Sequence, residues 1–178
     1  MANACESPTK EKINVTVNGL LGNMASISAE HIEKDSNLNL LIYSLTGPEI
    51  ADVTAVKSKF ILIKPEERES FAKNFSDEKS IQVDYTHSDA ANINADFYCK
   101  HNLPFVMGTT GVDRKALEER VKNSKICAVI APNMAKQIVA FQEIMSNFSD
   151  EHEGELKGCG LLIEESHQGP SAKYNLKG

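Results

Sequence analysis

The sequence predicts an α/β fold, in which a doubly wound parallel sheet is covered by helices and is followed by the start of a second α+β domain. Two observations predict it: segments of strand and helix character alternate along the chain, and the connections between them are short. A third is a glycine turn directly after the first strand. We expect the domain that carries the sheet to span residues 12–150, and residues 151–178 to begin an incomplete second domain.

The first strand and helix are predicted from residues 12–34. Apolar and polar residues alternate at 12–18, with Ile13, Val15 and Val17 on one face, and the alternation ends at Gly19. Helix-like sequence follows to about residue 34.

Two apolar runs, at residues 38–45 and 60–63, predict the next strands. The first is ended by Thr46-Gly47-Pro48, and Pro65 after the second can open a helix over residues 66–75.

The remaining elements of the sheet repeat this alternation. Ser88 is expected to cap a helix whose apolar face includes Ala90, Ile93 and Phe97. Strands are predicted at 81–85, 104–107 and 126–131, with a turn at 108–111 and a charged helix at 113–123. From Ala135 a last helix places four large apolar side chains on one face, which predicts a core stripe made of Ile138, Phe141, Met145 and Phe148.

Composition excludes several classes of protein. The chain has 178 residues, 41% hydrophobic and 25% charged, as in ordinary globular domains. Its net charge of −6 argues against a nucleic-acid partner, and its apolar runs are too short for insertion into a membrane. The four cysteines show no metal-binding spacing, so no metal is expected. With no secretory signal, we expect a protein of the cytoplasm or an organelle interior, such as the plastid stroma.

The turn Gly19-Leu-Leu-Gly22-Asn-Met-Ala25 suits a dinucleotide pyrophosphate, because glycines let the backbone approach it at a helix N-terminus. Without its context the same turn is also an ordinary strand-to-helix connection. Roughly 20 residues further on, an acid would favour NAD and an arginine NADP. Ser44 stands there instead and can bond to either form, while Lys57 or Lys59 would have to fold back, so NADPH and NADH both remain open.

Five segments in order resemble dihydrodipicolinate reductase, and are most similar to its plant and cyanobacterial branch. They are Val17 to Met24, Val83 to Thr86 (Val-Asp-Tyr-Thr), Pro104 to Gly111, Ala131 to Met134 and Glu165 to Gln168 (Glu-Ser-His-Gln). The resemblance covers about residues 12–168 and implies a Rossmann-like fold. It also implies NAD(P)H-dependent hydride transfer to a cyclic imine-like dicarboxylate, 4-hydroxy-tetrahydrodipicolinate, in the diaminopimelate pathway of lysine biosynthesis.

The resemblance also implies roles for individual residues. His167 matches the proton donor of the family, and an imidazole suits that role near neutral pH. Lys173 is assigned to the lysine that holds the substrate; Ser171 occupies the usual lysine spacing, and a two-residue insertion explains the shift. Ala25 replaces the usual third glycine. The residues assigned to the cofactor are Gly19, Gly22, Asn23, Met24, Ser44, Asp84, Tyr85, Thr86, Gly108, Thr109, Thr110, Ala131, Asn133 and Met134.

Three functions remain open at this point. The first is a reductase of this family, expected to be truncated because the Lys-x-Asp-Ala-Ser-Gly-Thr segment is cut at Gly178. The second is a catalytically impaired, reductase-derived nucleotide-binding or structural subunit of a larger assembly. The third is a Rossmann-type dehydrogenase for another substrate. Partners are expected to be a small dicarboxylate, if the chain is active, and copies of itself or other subunits.

Overall fold

The structure, a computed structural model, describes residues 11–20, 22–47, 59–131, 133–152, 154–155 and 157–158. The chain divides into two compact units, Met1–Met134 and Ala135–Gly178. The strands are β1 (Ile13–Asn18), β2 (Leu38–Leu40), β3 (Tyr43–Leu45), β4 (Ile61–Ile63), β5 (Ile81–Asp84), β6 (Phe105–Met107) and β7 (Ala128–Ile130). The helices are α1 (Asn23–Lys34), α2 (Arg68–Asp77), α3 (Ser88–Lys100), α4 (Arg114–Lys122) and α5 (Lys136–Glu151).

The strands form a parallel sheet with the topology that the alternation predicts. Five of them pair in the order β2-β1-β5-β6-β7, and β3 pairs in parallel with β4. The β3–β4 pair continues the larger sheet, because the amide of Gly19 donates to the carbonyl of Leu45 at 2.8 Å. The resulting order places β4 and β3 on one side of β1 and β5 on the other. This is the doubly wound arrangement, and the prediction of the fold class is confirmed.

The predicted strand at 38–45 is split into β2 and β3. The amide of Leu41 still donates to Val15 of β1 at 2.8 Å, but the carbonyl of Ile42 accepts from Ile61, at the start of β4, at 2.7 Å. Further along, the amide of Leu45 donates to the side-chain oxygen of Asn18 rather than to the backbone. The regular ladder beside β1 is therefore interrupted where a side chain replaces a main-chain carbonyl.

Two clusters of buried side chains hold helices against the sheet. Under α1, Ala25 and Ala29 pack with Val15 and Val17 of β1. Ala25 is completely buried, so the methyl group at the third position of the turn is accommodated. The second cluster lies under α2, α3 and α4, and consists of Leu45, Ile63, Ala72, Phe75, Ala91, Ala95, Phe97, Tyr98, Leu103, Phe105, Met107 and Leu117.

The start of α3 differs from the prediction in two details. His87, not Ser88, is the N-cap, and its imidazole accepts a hydrogen bond from the amide of Asp89 at 3.4 Å. Ala90 and Phe97 are buried as expected, but Ile93 is 58% exposed. Ile93 borders a pocket rather than the core.

The second unit is described for α5 and a few residues after it. The four side chains of the predicted stripe, Ile138, Phe141, Met145 and Phe148, are between 41% and 59% exposed. Residues 159–178 lie outside the described part of the chain, and the core role of the stripe stays a prediction.

Candidate nucleotide site

The turn between β1 and α1 is shaped by a close contact with the end of β5. Gly19 has a φ of +87°, and a Cβ atom on it would lie 2.6 Å from the carbonyl oxygen of Tyr85. Only glycine fits both the conformation and the space. The predicted glycine requirement at this position therefore has a physical cause in the fold.

The first turn of α1 presents backbone amides without a side-chain cap. Gly22 is the N-cap, with extended backbone, and in the described part of the chain no side-chain hydrogen bond caps the helix. A Cβ atom on Gly22 would lie 3.2 Å from the carbonyl of Gly19, so a side chain here would require the turn to shift by a few tenths of an ångström. Asn23 and Met24 are the first two helical residues, where amides and the helix dipole favour an anion.

A pocket of about 940 Å³ opens at the carboxyl ends of β1, β3, β4 and β5. This volume suits a ligand of cofactor size. In doubly wound sheets, ligands bind in this crevice where the strand order reverses. The residues that line it are Gly19, Leu20, Gly22, Gly47, Pro65, Arg68, Glu69, Tyr85, Thr86, His87, Asp89, Ala90 and Ile93.

Ser44, the residue expected near the ribose, lies beneath the turn. It is completely buried in β3, and its hydroxyl accepts a hydrogen bond from the amide of Leu20 at 3.3 Å. The side chain therefore supports the backbone of the glycine turn.

Asp84 is the centre of a buried polar network below the pocket. Its carboxylate accepts hydrogen bonds from the backbone and hydroxyl of Thr86, from Asn94, from Tyr98 and from Thr109, at 2.6–3.3 Å. The residue is completely buried. These bonds tie the loop after β5 to α3 and to the loop after β6, so they fix the floor of the site.

A second group of predicted residues meets at the aromatic ring of Tyr85. A Cβ atom on Gly108 would lie 2.5 Å from that ring and 3.2 Å from the terminal methyl of Met134. The amide of Gly108 donates to the carbonyl of Asp84 at 3.0 Å. Thr110, Ala131 and Asn133 lie in the same segments after β6 and β7. The structure thus joins the turns after β5 and β6 through Tyr85, which also lines the pocket.

Three charged residues of the pocket, Arg68, Glu69 and Asp89, were not predicted as site residues from the sequence. Arg68 begins α2 and is only 5% exposed, and its Nε and Nη1 atoms have no hydrogen-bond partner among the residues that the structure describes. Burial lowers the pKa of its guanidinium, against the opposing effects of Tyr98 and Asp84. Glu69 is bonded to Lys100 and His101, each at 2.9 Å, and the hydrogen bond from Lys100 lowers its pKa. Neither Arg68 nor Glu69 carries a local sequence motif.

The predicted catalytic residues, His167 and Lys173, and also Lys57, lie outside the described residues. Within the described ranges, no helix is long and apolar enough to cross a membrane. The same ranges contain no cluster of three or more His, Cys, Asp or Glu side chains placed to hold a metal ion.

A family model described as "Dihydrodipicolinate reductase, N-terminus" matches residues 13–134. A probable 4-hydroxy-tetrahydrodipicolinate reductase 1, chloroplastic, of Oryza sativa subsp. japonica is 36% identical over 184 residues, covering 100% of this chain and 52% of the relative. The 4-hydroxy-tetrahydrodipicolinate reductase 2, chloroplastic, of Arabidopsis thaliana is 40% identical over 160 residues, covering 88% of this chain and 46% of the relative. The chain thus spans about half the length of these curated relatives.

The fold is also similar to that of a solved structure. Dipicolinate-bound dihydrodipicolinate reductase from Paenisporosarcina sp. TG-14 superimposes with a TM-score of 0.61 and 20% sequence identity. The match covers 78% of this chain and 54% of that protein, and at this identity it shows a shared fold.

Proposed function

The chain belongs to the dihydrodipicolinate reductase family, and on this premise we propose that it binds NADPH or NADH as the nucleotide-binding part of a reductase. The observation that carries the proposal is the uncapped first turn of α1 beside Gly19, at the edge of the pocket. When bound, the nucleotide supplies the hydride. The amides of Asn23 and Met24 bind its pyrophosphate, since they have neither a competing carboxylate nor a capping side chain.

Tyr85 and Thr86 are proposed to position the nicotinamide end of the nucleotide. Their backbone is held by the contact with Gly19, and the hydroxyl of Thr109 donates to the carbonyl of Thr86 at 3.1 Å. A loop held by such bonds needs little rearrangement on binding, and accurate positioning accounts for a large part of the rate of a bimolecular reaction.

The substrate class proposed for this chain is a cyclic imine-like dicarboxylate, 4-hydroxy-tetrahydrodipicolinate. The support is the printed function of the relatives and the Glu-Ser-His-Gln segment at residues 165–168. His167 would donate the proton, since an imidazole titrates near neutral pH, and Lys173 would hold a substrate carboxylate through its ammonium group. The chloroplastic relatives support an organelle interior as the place of the reaction.

Calorimetric titration of the 178-residue chain with NADPH and with NADH tests the proposal. We expect saturable binding of at least one nucleotide. Met24 is 55% exposed, so a glutamate is expected to fit there without disturbing the core. Met24→Glu places a negative charge beside the pyrophosphate and should weaken nucleotide binding about tenfold. Ile27→Glu, one turn further along α1 and 50% exposed, is the matched control. Absence of binding to both nucleotides would contradict the proposal.

The role of His167 is tested separately by His167→Gln. The rate of reduction of 4-hydroxy-tetrahydrodipicolinate is expected to fall about 10²-fold or more, because the proton donor is lost. The affinity for nucleotide should stay the same. A variant that keeps the full rate shows that His167 is not the proton donor.

A further inference from the structure

Arg68 is a buried cation with unsatisfied donors. It is 5% exposed, and Nε and Nη1 lack hydrogen-bond partners among the described residues. Buried charges are ordinarily paired, since an unpaired one loses its hydration without compensation. Asp84, the buried acid below the pocket, accepts its hydrogen bonds from Thr86, Asn94, Tyr98 and Thr109 instead. Two donors of the guanidinium therefore lack a described partner at the wall of the pocket, where an anionic ligand would supply one.

The position of Arg68 indicates which part of a dinucleotide it would meet. It lines the pocket together with Gly47, which follows β3, and Pro65, which follows β4. The uncapped turn at Gly19 and Gly22 forms another part of the lining. In doubly wound nucleotide-binding sheets, the pyrophosphate lies at the first helix and the adenosine ribose lies by the end of the second strand. Here β2 pairs with β1, and β3 continues along the same side of β1, where the carbonyl of Leu45 accepts from the amide of Gly19.

Among the described residues, no acid follows β3 at the place where one would bind the ribose hydroxyls. Thr46 and Gly47, which directly follow β3, carry no carboxylate. Two acids do line the pocket, but Glu69 is bonded to Lys100 and His101, and Asp89 lies in α3, after β5. A carboxylate in this region selects NAD, whereas an arginine accommodates the additional phosphate of NADP.

We infer that Arg68 binds the 2′-phosphate of the adenosine ribose and so gives this chain a preference for NADPH over NADH. The inference rests on the proposed nucleotide-binding function and names the phosphorylated form of the nucleotide as its ligand. A guanidinium presents several donors in a fixed planar arrangement, and it binds phosphate through paired hydrogen bonds. Such bonds would satisfy the Nε and Nη1 donors, which lack partners among the described residues.

The test compares nucleotide affinities for the wild-type 178-residue chain and for Arg68→Met. We expect the wild type to bind NADPH about tenfold or more tightly than NADH, and 2′,5′-ADP more tightly than 5′-ADP. Arg68→Met should remove both preferences, because it weakens the binding of the two ligands that carry a 2′-phosphate, NADPH and 2′,5′-ADP. The affinity for NADH should stay nearly unchanged. Arg68→Lys keeps the charge without the planar donors and should retain part of the preference. Arg114→Met is the control, because Arg114 pairs with Glu118 on the surface of α4.

The outcomes separate this inference from the proposed function. A wild type that binds neither nucleotide contradicts the proposed function and this inference with it. A wild type that binds both equally, or an Arg68→Met chain that keeps the NADPH preference, overturns this inference alone. If Arg68→Met lowers the affinities for NADPH and NADH equally, the inference is also overturned. That result would mean that Arg68 contacts the pyrophosphate or stabilises the fold. If Arg68→Met does not fold, as judged by thermal unfolding, Arg68→Lys and the 2′,5′-ADP comparison decide.

Discussion

The hydroxyl of Tyr98 donates a hydrogen bond of 2.6 Å to the carboxylate of Asp84, and both side chains are completely buried. The same hydroxyl accepts a hydrogen bond of 2.9 Å from the side chain of Asn18 at the end of β1. One phenol therefore links β1, β5 and α3 directly below the nucleotide pocket. The stability of the sheet and the geometry of the site depend on the same polar contacts.

Tyr98→Phe is expected to lower the free energy of unfolding by about 1–3 kcal/mol. The substitution keeps the ring but leaves Asp84 without one donor and Asn18 without one acceptor in a buried place. Urea denaturation followed by circular dichroism measures the loss. The control is Tyr43→Phe, since the hydroxyl of Tyr43 only accepts from Asn74 in an exposed bond. If both substitutions lower the free energy of unfolding equally, burial of the Tyr98 hydroxyl is not the cause of the loss.

The contribution of Tyr98 should also disappear at alkaline pH. Burial, together with the carboxylate of Asp84, raises the pKa of Tyr98 well above its ordinary value of 10.0. The folded state holds the neutral phenol, so its stabilisation is complete below the pKa of the unfolded chain, about 10, and is lost as the pH rises further. The difference in unfolding free energy between wild type and Tyr98→Phe should be level at about pH 7–9 and should shrink above about 10. A difference that grows there contradicts the assignment.

Gly19→Ala is expected to destabilise the chain by about 1–3 kcal/mol and to weaken nucleotide binding. The added methyl would meet the Tyr85 carbonyl at 2.6 Å, and the φ of +87° is unfavourable for alanine. Gly47→Ala is the control within the same pocket, since a Cβ atom there meets nothing within 4 Å. Thermal unfolding and NADPH titration of both variants measure the difference. Comparable stability of the two would show that the turn after β1 tolerates a side chain.

Gly108→Ala is expected to lower nucleotide affinity more than it lowers the free energy of unfolding. Its Cβ atom would lie 2.5 Å from the ring of Tyr85, which can rotate away because it is a side chain. Tyr85 lines the pocket, so nucleotide affinity should fall by a measurable factor. In a chain that carries Tyr85→Ala, the same substitution should have no further effect on affinity. An additive loss in the double variant would mean that Gly108 acts independently of Tyr85.

The alternation of strands and helices could be predicted from the sequence because short apolar runs or alternating patterns mark the strands, and glycine or proline marks several of the turns. The turn at Gly19 was also recognisable, since its cause, a positive φ, selects one residue type. Arg68 and the network around Asp84 could not be recognised from the sequence. Their significance depends on burial and on partners far apart in the chain: Tyr98 is 80 residues from Asn18, for example. Ile93 was misplaced for a related reason, because an apolar side chain beside a pocket has the same helical spacing as one in the core.

The contact between Gly19 and the carbonyl of Tyr85 has a consequence for the divergence of related sequences. The main chains of the turns after β1 and β5 are close enough to exclude a single methyl group. A lineage that replaces Gly19 must therefore change the path of the backbone at residues 85–86 at the same time. Across relatives, these two turns should accumulate substitutions and length changes as correlated pairs, even though 66 residues separate them along the chain.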